Sequence, residues 1–344
     1  MVGLWPFNFW QKNRTTWILG NGLRFSNPST AYTLSPPEKL LKIDRFTVLL
    51  NLASNTGHSN GIPRILSYSL DDENHNFMIG QWKDGLVFKL RAGRKAKTIY
   101  FETEHVFKKG EKTCLAIVFD GMMLSLYQDG KKKNTKHIGP VEFSNWKSSY
   151  PLVLGSEVNG KFAWEGSIYS ITIFDQALRA EEINTFPTRT KDLAPVLHYS
   201  FNNSSQIGGV RDEGKGQPAD MSIPNYFQPF KRTILRMPPG SLRGYWRNLG
   251  DMFINIVGFV PLGFLLSLYL SQKGFSFAGS LSLSIFTCFG ISLMIELTQA
   301  LLPNRFSGLI DLFANTLGAA IGVFVYKVKK EYWSTLHLFL PREQ

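Results

Sequence analysis

The chain runs to 344 residues, carries a net charge of +12 and contains two cysteines. That length exceeds a single ordinary core, so two domains are expected, and two cysteines supply neither a disulfide framework nor a metal-binding spacing. The charge asks for an anionic partner, but the basic residues are scattered and no nucleic-acid motif accompanies them, which sets nucleic acid aside in favour of a membrane surface.

Residues 1–16 begin MVGLWPFNFWQKN, with no charged n-region and no long apolar h-region, so they do not read as a signal peptide. Leu4, Trp5, Phe7, Phe9 and Trp10 leave two readings open: the exit of an upstream membrane helix at the membrane–water boundary, or an arm packed on the first domain. Residues 17–205 then hold many short runs of β-branched, aromatic and leucine residues, from Phe46–Leu52 to Val196–Phe201, separated by Gly- and Asp-containing turns. The sharpest is CLAIVFDGMMLSLYQDGKKK, a hairpin whose Asp120-Gly121 supplies the turn and whose Asp129-Gly130 ends it. Only Leu178–Asn184 has helical character. The expected fold is multidomain: an all-β jelly-roll sandwich followed by an α-helical transmembrane unit.

GNGLRF, the hairpin LAIVFDGMMLSLYQDGK, and WEGSIYSITIFDQALRAEEI followed by VLHYSFN make residues 17–205 resemble the concanavalin A-like, laminin-G-type jelly roll. In that family a strand leads into a short helix on the outer face. The resemblance implies glycan or protein binding, with calcium in some members. Asp71, Asp72 and Glu73 are the candidate calcium loop, set against a plain acidic surface turn. Trp82, Trp146 and Trp164 stand as sugar-stacking candidates beside the commoner fate of core packing. The paired glutamates of laminarinase-like relatives, as in E-x-D-x-x-E, are absent from the sequence, so glycoside hydrolysis is not expected.

Residues 206–247 read as a basic interfacial linker, ordered in part. Tyr226, Phe227, Phe230, Ile234 and Leu235 would face the lipid, with Lys231, Arg232 and Arg236 toward the headgroups; Arg243 and Arg247 continue the basic run up to the first span, and a plain solvated linker is the other reading. Residues 248–330 contain three apolar stretches, Met252–Leu270, Ala278–Leu302 and Leu309–Tyr326, each long enough to cross a bilayer. Pro261 sits inside the first, and Gly318 and Gly322 form a GxxxG face on the third. Cys114 falls in the β region and Cys288 in the second span, in different media. Residues 331–344 read as a tail.

Polar side chains inside spans are costly and seldom accidental. Asn255, Glu296, Gln299, Asp311 and Asn315 lie within roughly 6–12 Å of one membrane face, given the helical rise per residue. Arg305, in the loop between, can reach either carboxylate. NIVGFVPLGF at Asn255–Phe264, E-x-x-Q at Glu296–Gln299, Arg305, and D-x-x-x-N-x-x-G at Asp311–Gly318 resemble the VanZ-like family, known from glycopeptide-resistance clusters. The resemblance implies a multi-pass protein of the bacterial cytoplasmic membrane, with the jelly roll extracytoplasmic and Lys327, Lys329 and Lys330 inside. The linker's basic residues then sit outside, against the positive-inside tendency. Three functions follow. The first is a non-catalytic envelope protein whose polar cluster binds a lipid or cell-wall-related ligand. The second is a membrane enzyme or transporter using Glu296 or Asp311. The third is a polar network that only fixes helix packing.

Overall fold

A computed structural model describes residues 11–18, 21–57, 59, 61–71, 74–93, 97–184, 193–201, 208–227, 234–235, 249–301 and 307–339, with side chains of the last helix described to Tyr332. The described residues fall into two compact units, residues 11–227 and residues 234–339.

The first unit is a sandwich of two antiparallel sheets. One contains β1 (Thr16–Trp17), β2 (Leu23–Phe25), β4 (Phe46–Ser54), β9 (Lys112–Phe119), β10 (Met123–Gln128), β11 (Lys131–His137), β13 (Gly166–Phe174) and β14 (Leu197–Ser200), in the order β1-β2-β13-β4-β9-β10-β11 with β14 also on β13. The other contains β3 (Ala31–Thr33), β5 (Arg64–Ser69), β6 (His75–Trp82), β7 (Gly85–Ala92), β8 (Lys97–Thr103), β12 (Leu152–Leu154), β15 (Gly209–Val210) and β16 (Met221–Ser222), in the order β15-β16-β3-β12-β5-β6-β7-β8.

Alternation along the strands builds the core. Phe46, Val48, Leu50 and Leu52 of β4 face inward with Leu115, Ile117 and Phe119 of β9 and with Phe77, Ile79, Phe88 and Leu90 from the opposite sheet. Aromatic rings fill the middle: Phe46 meets Phe119 at 5.6 Å and Phe88 at 6.1 Å, and Phe143 meets Trp146 at 4.7 Å. Strand β4 is apolar on its other face too, because α1 (Ala180–Asn184) and the turn before it cover Leu49. There Leu178 and Ile183 pack on Leu49, Ala116, Val118 and Phe174, and Thr47 Oγ1 accepts from Leu178 N at 2.9 Å. This is the outer-face helix that the family resemblance implied.

Two stretches depart from the reading of the sequence. Asp129-Gly130 ends the β9–β10 hairpin as expected, but both residues adopt positive φ and turn the chain into a further strand, β11, sequence KKKNTKH, at the end of its sheet. Lysines are poor strand formers but common guards of sheet edges, which is why the strand is hard to see in the sequence. The segment read as linker from residue 206 also contributes β15 and β16, and β16 pairs with β3. Val210, Ala219, Met221 and Phe227 are buried there, so Phe227 faces the sandwich rather than lipid. Asp212 secures this return. Its carboxylate accepts from His198 N at 3.1 Å, Gly214 N at 2.9 Å, Ala219 N at 3.0 Å and the Lys39 ammonium. Asn13 does the same for the start of the unit, donating to Thr30 O at 2.9 Å and Pro224 O at 2.8 Å.

Among the described residues the second unit has three helices: α2 (Leu249–Gln272), α3 (Phe277–Gln299) and α4 (Leu309–Phe339). All three are long and apolar enough to cross a membrane. Phe253, Ile254, Phe286, Met294 and Phe313 are each more than 60% exposed, a surface suited to lipid rather than water. Helix α2 runs through Pro261 without interruption. Helix α4 continues past residue 330 to Phe339, so the start of the expected tail is helical. Packing between α2 and α4 is backbone on backbone. A Cβ at Gly318 would stand 2.1 Å from Ile256 O, one at Gly322 2.1 Å from Val260 O, and one at Gly263 2.1 Å from Ala319 O. The GxxxG face thus meets a glycine of its neighbour.

Two outcomes follow from these contacts. Gly318→Leu drives a side chain into the α2 backbone and lowers the thermal stability of the detergent-solubilised chain by about 1–3 kcal/mol or more; an unchanged melting temperature would contradict the contact. In the sandwich, burial and then the charges of Lys89, Arg64 and Arg91 push His75 down from its ordinary 6.5 to about 4, against a smaller opposing pull from Asp71. The folded state then resists a proton that the unfolded chain accepts. Stability is full above about pH 6.5 and falls as pH drops toward about 4, by an amount on the order of 2–3 kcal/mol. His75→Gln should flatten that window in a pH series of unfolding curves.

Candidate functional site

The site is built where α3 ends and α4 begins. Helix α3 is apolar nearly all round, and its buried stripe repeats every four residues: Ser280, Ser284, Cys288, Ser292 and Glu296. The last of these brings a carboxylate, 1% exposed, to the start of α4. Gly308 N–H, just before that helix, donates to Glu296 Oε2 at 2.7 Å, and the Ser307 hydroxyl also bonds this carboxylate. A helix start leaves amide hydrogens unpaired and carries positive partial charge, so an anion is favoured there. Glu296 therefore caps α4 from a different helix. Ser307 Oγ in turn accepts from Leu235 N at 3.0 Å.

The other predicted residues form the next layers. Asp311, in the first turn of α4, accepts from Asn255 Nδ2 of α2 at 2.8 Å. One turn further, Asn315 donates through Nδ2 to Ser292 Oγ at 2.9 Å. Its Oδ1 is buried and has no hydrogen-bond partner among the described residues. Gln299 is half-buried at the end of α3, and Arg305 lies outside the described residues. The structure thus brings Asn255, Glu296, Asp311 and Asn315 together at one end of the helices. Ser292, Ser307 and Gly308 are participants that reasoning from sequence missed. Ser292 was findable as the residue four before Glu296 on the same face, and Ser307-Gly308 as a helix-start signal before an apolar run.

In the sandwich the candidates separate. Trp146 and Trp164 are buried, donating to Arg91 O at 2.7 Å and Gln81 Oε1 at 3.0 Å, while Trp82 stays on the surface. Both Asp71 carboxylate oxygens accept from Asn74 Nδ2 at 3.0 Å, which closes the β5–β6 turn. Asp72 and Glu73 lie outside the described residues. Among the described residues, no group of three or more His, Cys, Asp or Glu side chains could hold a metal. One buried charge pair had no sequence signal: Arg64 Nε meets Glu157 Oε2 at 3.2 Å, and Ser67, Ser69 and Val158 N also donate to that carboxylate.

Comparison with known proteins gives the class. Residues 27–184 match the model of the concanavalin A-like lectin/glucanases superfamily. Residues 168–330 match that of VanZ/LLP1. The chain therefore joins a laminin-G-type jelly roll to a VanZ-like membrane domain. No curated protein matches it. Among solved structures it is similar to Ruminococcus gnavus IT-sialidase CBM40 bound to α2,3-sialyllactose, at 16% identity and TM-score 0.40, covering 48% of this chain and 95% of that one. It is also similar to the NanB sialidase from Streptococcus pneumoniae, at 19% identity and TM-score 0.39, covering 48% of this chain and 27% of that one. A third similarity is to a putative carbohydrate binding protein from Bacteroides ovatus, at 12% identity and TM-score 0.43, covering 61% of each chain.

The capping geometry separates two substitutions at one position. Glu296→Gln keeps a carbonyl acceptor for Gly308 N–H and should leave stability near that of the parent. Glu296→Ala orphans the amide and should cost about 1–3 kcal/mol, with faster hydrogen exchange confined to the first turn of α4. Equal exchange in both variants would remove the cap from the account.

Proposed function

We propose that this chain is a membrane-anchored protein of the bacterial cell envelope. Its jelly roll is a lectin-like binding domain on the extracytoplasmic side of the cytoplasmic membrane. Its VanZ-like unit binds a lipid or cell-wall-related ligand at the cluster of Asn255, Glu296, Gln299, Asp311 and Asn315. In this reading Arg305 pairs the ligand's anionic group. The amide and carboxylate oxygens accept from its hydroxyl or amino groups. The observation that supports it is the buried, unpartnered Asn315 Oδ1 in a cluster whose other described members are bonded. An orphaned acceptor costs about 1–3 kcal/mol, which a ligand donor would recover. The VanZ match supports a role in the response to glycopeptide antibiotics.

A second reading rests on a different observation. Glu296 caps α4 and Asn255 bonds Asp311, so the cluster also serves helix packing. The two readings diverge under mutation. Ligand binding requires that Arg305→Ala and Glu296→Gln abolish the glycopeptide phenotype while the protein accumulates normally in membranes. Loss of accumulation in step with the phenotype would favour packing. Labelling of cysteines placed near Lys231 and Lys329 by an impermeant reagent tests orientation: the first should react in intact cells and the second only after lysis.

A further inference from the structure

A second polar site lies at the other end of the helices. From Asn255 to Ser271 along α2 is ~24 Å at the helical rise, so this region is distinct from the Glu296 cluster. There the end of α2, the start of α3 and the far part of α4 enclose a cleft of 290 Å³ whose lining includes Ser267, Ser271, Ser280, Tyr326, Lys327 and Lys330. Ser267 is 1% exposed, and its hydroxyl has no hydrogen-bond partner among the described residues. Lys330, itself exposed, donates from Nζ to Ser271 Oγ at 2.8 Å. Lys327 Nζ lies 4.6 Å from the centre of the Phe277 ring and 3.7 Å from Glu331, the one acidic residue of the lining.

We propose that this cleft binds a phosphate group, supplied by the headgroup of an anionic lipid or by a free phosphate. The chemistry is specific. Two lysines against one glutamate leave net positive charge. Hydroxyls at Ser267, Ser271 and Ser280 line the same cleft and supply short donors to an anion with several oxygens. The volume decides the ligand's size: it falls at or below the low end of about 300–1,000 Å³ for small-molecule sites, which suits a headgroup and no more. Lysines at a membrane helix end otherwise extend outward to water, as interfacial anchors. Here one is held along the helix surface by its bond to Ser271, and an unpartnered hydroxyl is buried in the same cleft.

The test uses the full-length chain in neutral detergent, with three probes: dihexanoyl phosphatidylglycerol, dihexanoyl phosphatidylcholine and inorganic phosphate. Thermal shift and native mass spectrometry read binding. Phosphatidylglycerol should raise the melting temperature and remain bound. Lys330→Gln and Ser267→Ala should each weaken it by about tenfold or more, and Lys330→Arg should restore most of it. Stabilisation by inorganic phosphate at matched affinity supports the cleft and assigns it to a free phosphate. Equal response to phosphatidylcholine overturns the proposal, as does full affinity in a folded Ser267→Ala and Lys330→Gln pair. Glu296→Gln serves as the control: it should leave this binding unchanged whether or not the distant cluster holds a ligand.

Discussion

The helical unit depends on the bond between Glu296 and the start of α4. In a bilayer no water reaches an unpaired amide, so the first turn of a spanning helix must find its partners within the protein. A carboxylate carried by the preceding helix supplies one. That bond fixes where α4 starts, and the start sets its register. From there Asp311 falls beside Asn255, Asn315 beside Ser292, and Gly318 and Gly322 against the α2 backbone. Polar and close-packed layers are therefore consequences of one capped terminus, spaced by the helical repeat. The cluster is thus a structural clasp between all three helices.

The sandwich solves a comparable problem with its two ends. Both the entering and the leaving segments are bound by buried polar side chains whose lone pairs and protons are nearly all used. Asn13 ties residues near the start to Pro224, and Asp212 gathers three backbone amides and a lysine around the last strands. Such networks are strong because they are satisfied; a half-satisfied one in the same place would destabilise the fold.

Much of this was legible in the sequence, for physical reasons that can be named. The spans announce themselves by length and apolarity, and the polar residues within them stand out because each is expensive there. The strands of the core are visible because β-branched and aromatic residues alternate between turns. What escaped notice was polar or short. Strand β11 hides behind its lysines, and β15 and β16 are two residues each in a Gly- and Pro-rich stretch that reads as linker. Ser292 and Ser307 carry no charge to mark them, and their importance comes only from what α3 and α4 bring next to them. The Arg64–Glu157 pair joins residues far apart in the chain, and nothing local in the sequence pairs them.

The lysine-rich strand β11 bears on how many copies can share one surface. Proteins tethered to a membrane move in two dimensions and collide edge to edge far more often than they would if free in solution. An unguarded strand at the border of a sheet invites another copy to extend it. The ammonium groups of Lys131, Lys132, Lys133 and Lys136 along β11 repel a second strand approaching that border, which guards the sheet against being extended there.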